Sequence, residues 1–111
     1  MEAMDNEEIH GKPHRLADLV EYQAGAIVSR TLLKKEKGTV TLFAFDAGQG
    51  LSEHTVPHDA LVQVRDGRAE ILIGGEPHRL GSGDAILMPA NEPHQVTAVE
   101  RFKMLLVMIR G

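Results

Sequence analysis

The chain has 111 residues, 42% of them apolar and 25% charged, with a formal net charge of −4 at pH 7. That length suits one domain, able to bury about 65% of its unfolded surface without staples. The absence of cysteine excludes disulfides, thiolate metal centres and cysteine nucleophiles. The basic residues do not cluster, so no nucleic-acid footprint is present, and no apolar run approaches the roughly 20 residues that span a bilayer. Met1 to Glu8 is acidic and lacks the apolar core of a secretory signal, which predicts a cytoplasmic protein.

Residues 1–14 are polar, carry Glu2, Asp5, Glu7 and Glu8, and show no period. They read as a tail, ordered only where something docks it, ahead of a domain over residues 15–111. Leu16, Leu19 and Val20 stand at helical spacing, enough for about two turns of helix at most. After Gly25 the texture changes to short aliphatic and β-branched runs, punctuated by Gly, Pro or charged pairs. These are Ala26–Leu33, Thr39–Ala47, Leu51–Val56, Ala60–Arg65, Ala69–Gly74, His78–Leu80, Ala85–Met88, His94–Val99 and Phe102–Ile109. Nine strands this short, with turns this frequent, predict an all-β sandwich or barrel. Asp66-Gly67 between two apolar runs predicts a hairpin, and Gly74-Gly75 a second tight turn. Phe43, Phe45, Phe102, Met88, Met104 and Met108 fall at strand spacing and predict core or pocket lining.

Of the six histidines, His10 and His14 lie in the tail and His78 at a turn, where solvated side chains are the rule. His54 ends a candidate strand, His58 follows four residues on past Pro57, and His94 opens a later strand after Pro93. Neighbouring strands can bring all three to one barrel mouth, because residues two or four apart share a strand face. There they serve either as neutral ligands to a transition metal with an open position, or as hydrogen-bonding groups in a metal-free pocket. Glu53 points to the opposite strand face, Asp59 serves as a cap or turn residue, and Gln63 faces outward or packs against another sheet layer. Glu92 is solvated. No Ser–His–acid order and no phosphate-binding glycine loop is present.

Residues 38–109 resemble a small single-domain cupin of the conserved-barrel, RmlC-like type. The first cupin motif runs Gly, five residues, His-x-His, three or four residues, Glu, six residues, Gly. Here Gly48 is followed after five residues by His54, and Gly67 closes the motif. The second runs Gly, five residues, Pro-x-Gly, two residues, His, three residues, Asn. Gly83, Pro89 and His94 fall in register, with Asn91 in the Gly place and Ala98 in the final Asn place. The resemblance implies a double-stranded β-helix, or jelly-roll, barrel preceded by a short N-terminal helical segment.

The departures bear on chemistry. The second motif histidine falls on Val56 and the glutamate on Ala60, so only His54 and His94 carry over from the four metal ligands of a standard cupin. Loss of the carboxylate removes a ligand and the charge that offsets a divalent ion. The resemblance therefore implies a small-molecule-binding barrel with a depleted metal motif, lined by His54, His58, His94, Val56, Ala60 and Met88. The alternative is a metal-dependent enzyme of dioxygenase or isomerase type acting on a small polar substrate, with His54, His94 and His58 holding Zn, Ni, Fe, Cu or Mn. A structural protein with a vestigial pocket is a third possibility. Apolar residues on both faces of Met104–Ile109, with Ile27-Val28 and Leu32-Leu33, predict a homodimer, since a small barrel has only one inside. Neither nucleic acid nor membrane is an expected partner.

Overall fold

The computed structural model describes residues 9–110. It has nine strands: β1 (Ile27–Lys35), β2 (Gly38–Phe45), β3 (Gly50–His54), β4 (Asp59–Asp66), β5 (Arg68–Ile73), β6 (Glu76–Gly81), β7 (Ala85–Met88), β8 (His94–Ala98) and β9 (Phe102–Ile109). All nine predicted runs are strands, displaced at their ends by a few residues at most. They form two antiparallel sheets, one in the order β1-β2-β9-β4-β7 and the other β3-β8-β5-β6. The jelly-roll expectation holds. Among the described residues no helix is long and apolar enough to cross a membrane.

Strand period places alternate residues of both sheets in one core. Val62 and Val64 of β4, Ile71 of β5, Val96 of β8 and Met104 of β9 are buried there. Phe45 and Phe102 stack with ring centroids 4.6 Å apart, and Phe43 packs at the edge of the same cluster. The helical expectation over residues 15–22 reduces to one 3-10 turn, Leu16–Leu19. Three leucine and valine side chains cannot sustain a longer helix when their apolar faces are needed elsewhere. Leu16, Leu19, Val20 and Tyr22 instead pack on the outer face of the first sheet against Val28, Leu32, Leu42 and Ala44. Tyr22 donates to the Asp66 carboxylate at 2.5 Å, and Lys103 donates to the Ala17 carbonyl at 2.6 Å, which pin this segment. The tail expectation for residues 1–14 falls mostly outside the described residues. Of the part described, Ile9 packs against this second cluster.

Two turns separate cleanly. Gly74 and Gly75 join β5 to β6 with Ile73 opposite Glu76, both glycines at positive φ, the conformation a two-residue hairpin turn requires. Asp66-Gly67 is not a hairpin. β4 pairs with β7 and β9, whereas β5 pairs with β6 and β8, so Gly67 is a corner at which the chain leaves one sheet for the other.

One buried polar group stands out in the second cluster. Arg30 is 8% exposed and donates from one terminal nitrogen, Nη1, to the Leu19 carbonyl at 3.1 Å. Its Nε and Nη2 are fully buried with no hydrogen-bond partner. A buried donor left unsatisfied costs about 1–3 kcal/mol, more than the one hydrogen bond returns. Arg30→Met keeps the aliphatic stem and removes the charge, and is expected to raise stability by about 1 kcal/mol in urea unfolding. A destabilised Arg30→Met protein would show that the guanidinium is satisfied in solution.

Candidate functional site: an imidazole pair between two strands

β3 and β8 are neighbours in the smaller sheet, and their register shifts between Leu51 and His54 so that His54 faces His94 directly. The shift is what aligns the two rings. Their Nε2 atoms lie 3.0 Å apart and the rings meet edge to face, centroids 4.3 Å apart. Each ring is also held at its other nitrogen: His54 Nδ1 is 2.7 Å from the Ser52 carbonyl and His94 Nδ1 is 3.2 Å from the Glu92 carbonyl. A carbonyl only accepts, so both Nδ1 atoms carry hydrogen when those bonds form. The two Nε2 lone pairs then point at each other. At this separation only a proton fits on the line between them, and a cation or a ligand's donor group would meet both from one side.

The two rings differ in environment. His94 is 5% exposed, whereas His54 is open to solvent. Burial lowers the His94 pKa below its usual value of 6.5, and the His54 imidazole lowers it further, against the opposing bond to the Glu92 carbonyl. His94 is therefore neutral at pH 7 and presents Nε2 as an acceptor.

The loops around the pair are laced together. Asn91 donates its backbone N–H to the Val56 carbonyl at 2.8 Å, and Ala90 donates to Asp59 Oδ1 at 2.9 Å. Gly74 donates to the Pro93 carbonyl at 2.8 Å. Asp59 thus caps a loop, as its position suggests. Asn91 has φ of +66°, the only non-glycine residue at positive φ among those described, in the place the motif gives to glycine. Asn91→Gly is expected to leave stability within about 0.5 kcal/mol, and Asn91→Val to lose about 1–2 kcal/mol in thermal unfolding, because a β-branched side chain resists the left-handed region.

Ala60 and Met88 are buried cross-strand partners, 4% and 5% exposed, in the barrel core. Val56 and His58 are half-buried in the connection after β3. Because β3 ends at His54 and Pro57 interrupts the chain, the strand alternation that would carry His58 to the face of His54 does not continue that far. Among the described residues no three His, Cys, Asp or Glu side chains are grouped to hold a metal ion. Gln63 lies on the outer face, accepting from Arg65 at 3.0 Å, and Glu53 and Glu92 are exposed. The Ser52 and Glu92 carbonyls, which orient both rings, left no mark in the sequence because any residue supplies a carbonyl.

Bonds of about 2.1 Å place neighbouring nitrogen donors about 3.0 Å apart at right angles and about 3.4 Å apart in a tetrahedron, so the 3.0 Å Nε2 separation matches two cis ligands of one octahedral ion. The donor count does not suit it. Val56 and Ala60 offer no ligand atom, and two imidazoles fall short of the three protein ligands typical of catalytic sites.

Comparison with known proteins agrees with the barrel. The conserved SPY1581 protein of unknown function from Streptococcus pyogenes is 39% identical with a TM-score of 0.90, covering 100% of this chain and 96% of that one. A cupin superfamily protein from Desulfitobacterium hafniense is 27% identical with a TM-score of 0.87, over 92% and 94% of the two chains. A stretch of 59 residues is 37% identical to dimethylsulfoniopropionate lyase DddQ of Ruegeria pomeroyi, amounting to 52% of this chain but only 29% of that enzyme. Residues 41–109 match the family described as the cupin domain, and with the two-sheet barrel and the His54–His94 pair this shows that the chain belongs to the cupin family.

Proposed function

We propose that this chain is a cytoplasmic small-molecule-binding cupin whose polar anchor is the His54–His94 pair. The carrying observation is the pair of opposed Nε2 atoms, 3.0 Å apart, with both Nδ1 atoms held on backbone carbonyls. Two fixed lone pairs at the edge of a barrel whose core includes Ala60 and Met88 suit a ligand with one hydroxyl, amide or protonated acid group on a small apolar body. Barrel mouths accommodate such ligands, with a few convergent polar groups fixing orientation.

A metal-dependent enzyme is the second reading, favoured by the Nε2 separation and by the partial match to a lyase. The protein donors number two, one short of the three that catalytic metal sites typically use. Both readings meet in one experiment on tag-free protein: elemental analysis together with a ligand screen by chemical-shift perturbation, repeated on His54→Ala/His94→Ala. The binding reading expects hits whose shifts cluster at residues 54–60 and 88–94 and vanish in the double variant. Hits that persist there would end it. One tightly held Zn, Ni, Fe, Cu or Mn per chain, lost in the double variant, would put the metal reading in its place.

A further inference from the structure

One row of paired residues crosses the inner face of the smaller sheet at the end that carries the imidazole pair. His54 of β3 pairs with His94 of β8, His94 with Ile73 of β5, and Ile73 with Glu76 of β6. Directly opposed residues share a face, and Ile73 packs on the barrel core, so the row faces the interior. Along it the sheet presents two imidazoles, one aliphatic side chain and, on the edge strand, the exposed Glu76. Glu92 adds a second carboxylate nearby: a Cβ on Gly74, in the turn leading to Glu76, would stand 3.3 Å from Glu92 Oε2. Among the described residues neither carboxylate has a hydrogen-bond or ion-pair partner. The two arginines of this sheet are already engaged, Arg68 with Glu100 at 3.4 Å and Arg79 with Glu70 at 3.1 Å. Lys34 shares the inner face of the larger sheet, but on β1, three strands from the β4 that β6 lies against.

The row lacks a partner at both ends. His94, 5% exposed, turns Nε2 toward another acceptor and has no donor there, while Glu76 has no cation. We infer that the ligand supplies both: it is a small aliphatic amine bearing a hydroxyl or amide at its other end. Its donor meets the two Nε2 atoms from one side, its chain crosses Ile73, and its ammonium group reaches Glu76. Glu76 is then a specificity-determining residue, selecting cations over neutral or anionic molecules of the same length. This rests on the binding reading above and adds to it the charge of the ligand. At about 4.8 Å per strand, the middle of the imidazole pair lies roughly 12 Å from β6. A glutamate leaning inward, with its ion-pair contact, takes up roughly 5 Å and leaves about 7 Å, the length of a five-carbon amino alcohol.

The test uses the full, tag-free chain at about pH 8, where alkylammonium groups are charged. Aminopentanol, pentanol and hydroxypentanoate, each substituted at its two ends or its one, are titrated by chemical-shift perturbation. Aminopentanol is expected to bind about two- to fivefold more tightly than pentanol, and hydroxypentanoate more weakly than either, with shifts at residues 54, 73–76 and 94. Glu76→Gln, an isosteric change at an exposed position, should bring the amine's affinity down to that of pentanol, and salt at about 0.5 M should do the same to the parent protein. An amine bound no more tightly than pentanol, or a preference for it that survives Glu76→Gln, overturns the assignment. If pentanol shifts these residues and loses its site in His54→Ala/His94→Ala while the amine shows no advantage, this inference alone fails. If none of the three compounds shifts residues 54–60 or 88–94, the binding reading fails with it.

Discussion

Gly67→Ala is expected to cost the barrel on the order of 4 kcal/mol, a large part of the 5–15 kcal/mol that a domain of this size holds. Two effects add. The residue has φ of +74°, which a side chain adopts at a cost of about 1–2 kcal/mol. A Cβ there would also stand 1.9 Å from the Arg101 carbonyl oxygen and 2.8 Å from the Phe102 Cα, both backbone atoms that cannot rotate away. Relief requires moving the start of β9, and with it Phe102, which is fully buried and stacked on Phe45. Gly48→Ala provides the comparison. It has φ of +81° and nothing within 4 Å, so it should show the backbone cost alone. At about 4–8 °C per kcal/mol, the remaining ~2–3 kcal/mol should separate the two melting points by about 10–20 °C. A gap within a few degrees would mean that the corner relaxes without disturbing β9.

The same glycine marks the boundary of what was legible beforehand. Asp-Gly supplies a positive φ equally well to a hairpin and to a corner between sheets, and the alternating runs on either side look the same in both cases. What distinguishes them is the approach of the Arg101 backbone, 34 residues away, for which the local sequence has no signal. The nine strands were legible because most are short aliphatic or β-branched runs bounded by turn residues, those of β4 and β5 alternating in burial. The pairing of His54 with His94 depends on a register shift inside β3, and the orientation of both rings depends on carbonyls at Ser52 and Glu92. Neither leaves a compositional trace. His58 looked like a partner only on the assumption that strand alternation continues past Pro57, and β3 ends before it.

Stability is expected to fall as the solution is acidified below pH 6.5, and His94 is the group responsible. Burial and the facing His54 ring hold its folded-state pKa below the 6.5 of the unfolded chain. Between those two values the unfolded state binds the extra proton and the folded state does not, so the unfolding free energy rises with pH. The contribution is fully present above about pH 6.5 and is lost as pH falls through that value towards the lower, folded one. The slope reaches at most about 1.4 kcal/mol per pH unit for the single proton. His94→Gln removes the titration, so its urea midpoint should vary less between pH 7.5 and pH 5.5 than that of the parent protein, with carboxylates common to both. Protonation of His94 also consumes the Nε2 acceptor, so any ligand held between the two rings should loosen over the same interval. A parent protein whose stability falls no faster than that of His94→Gln would mean that His94 titrates normally. A parent protein whose stability instead rises on acidification would mean that the opposed lone pairs share a proton, and the site would then present a positive charge to its ligand rather than two acceptors.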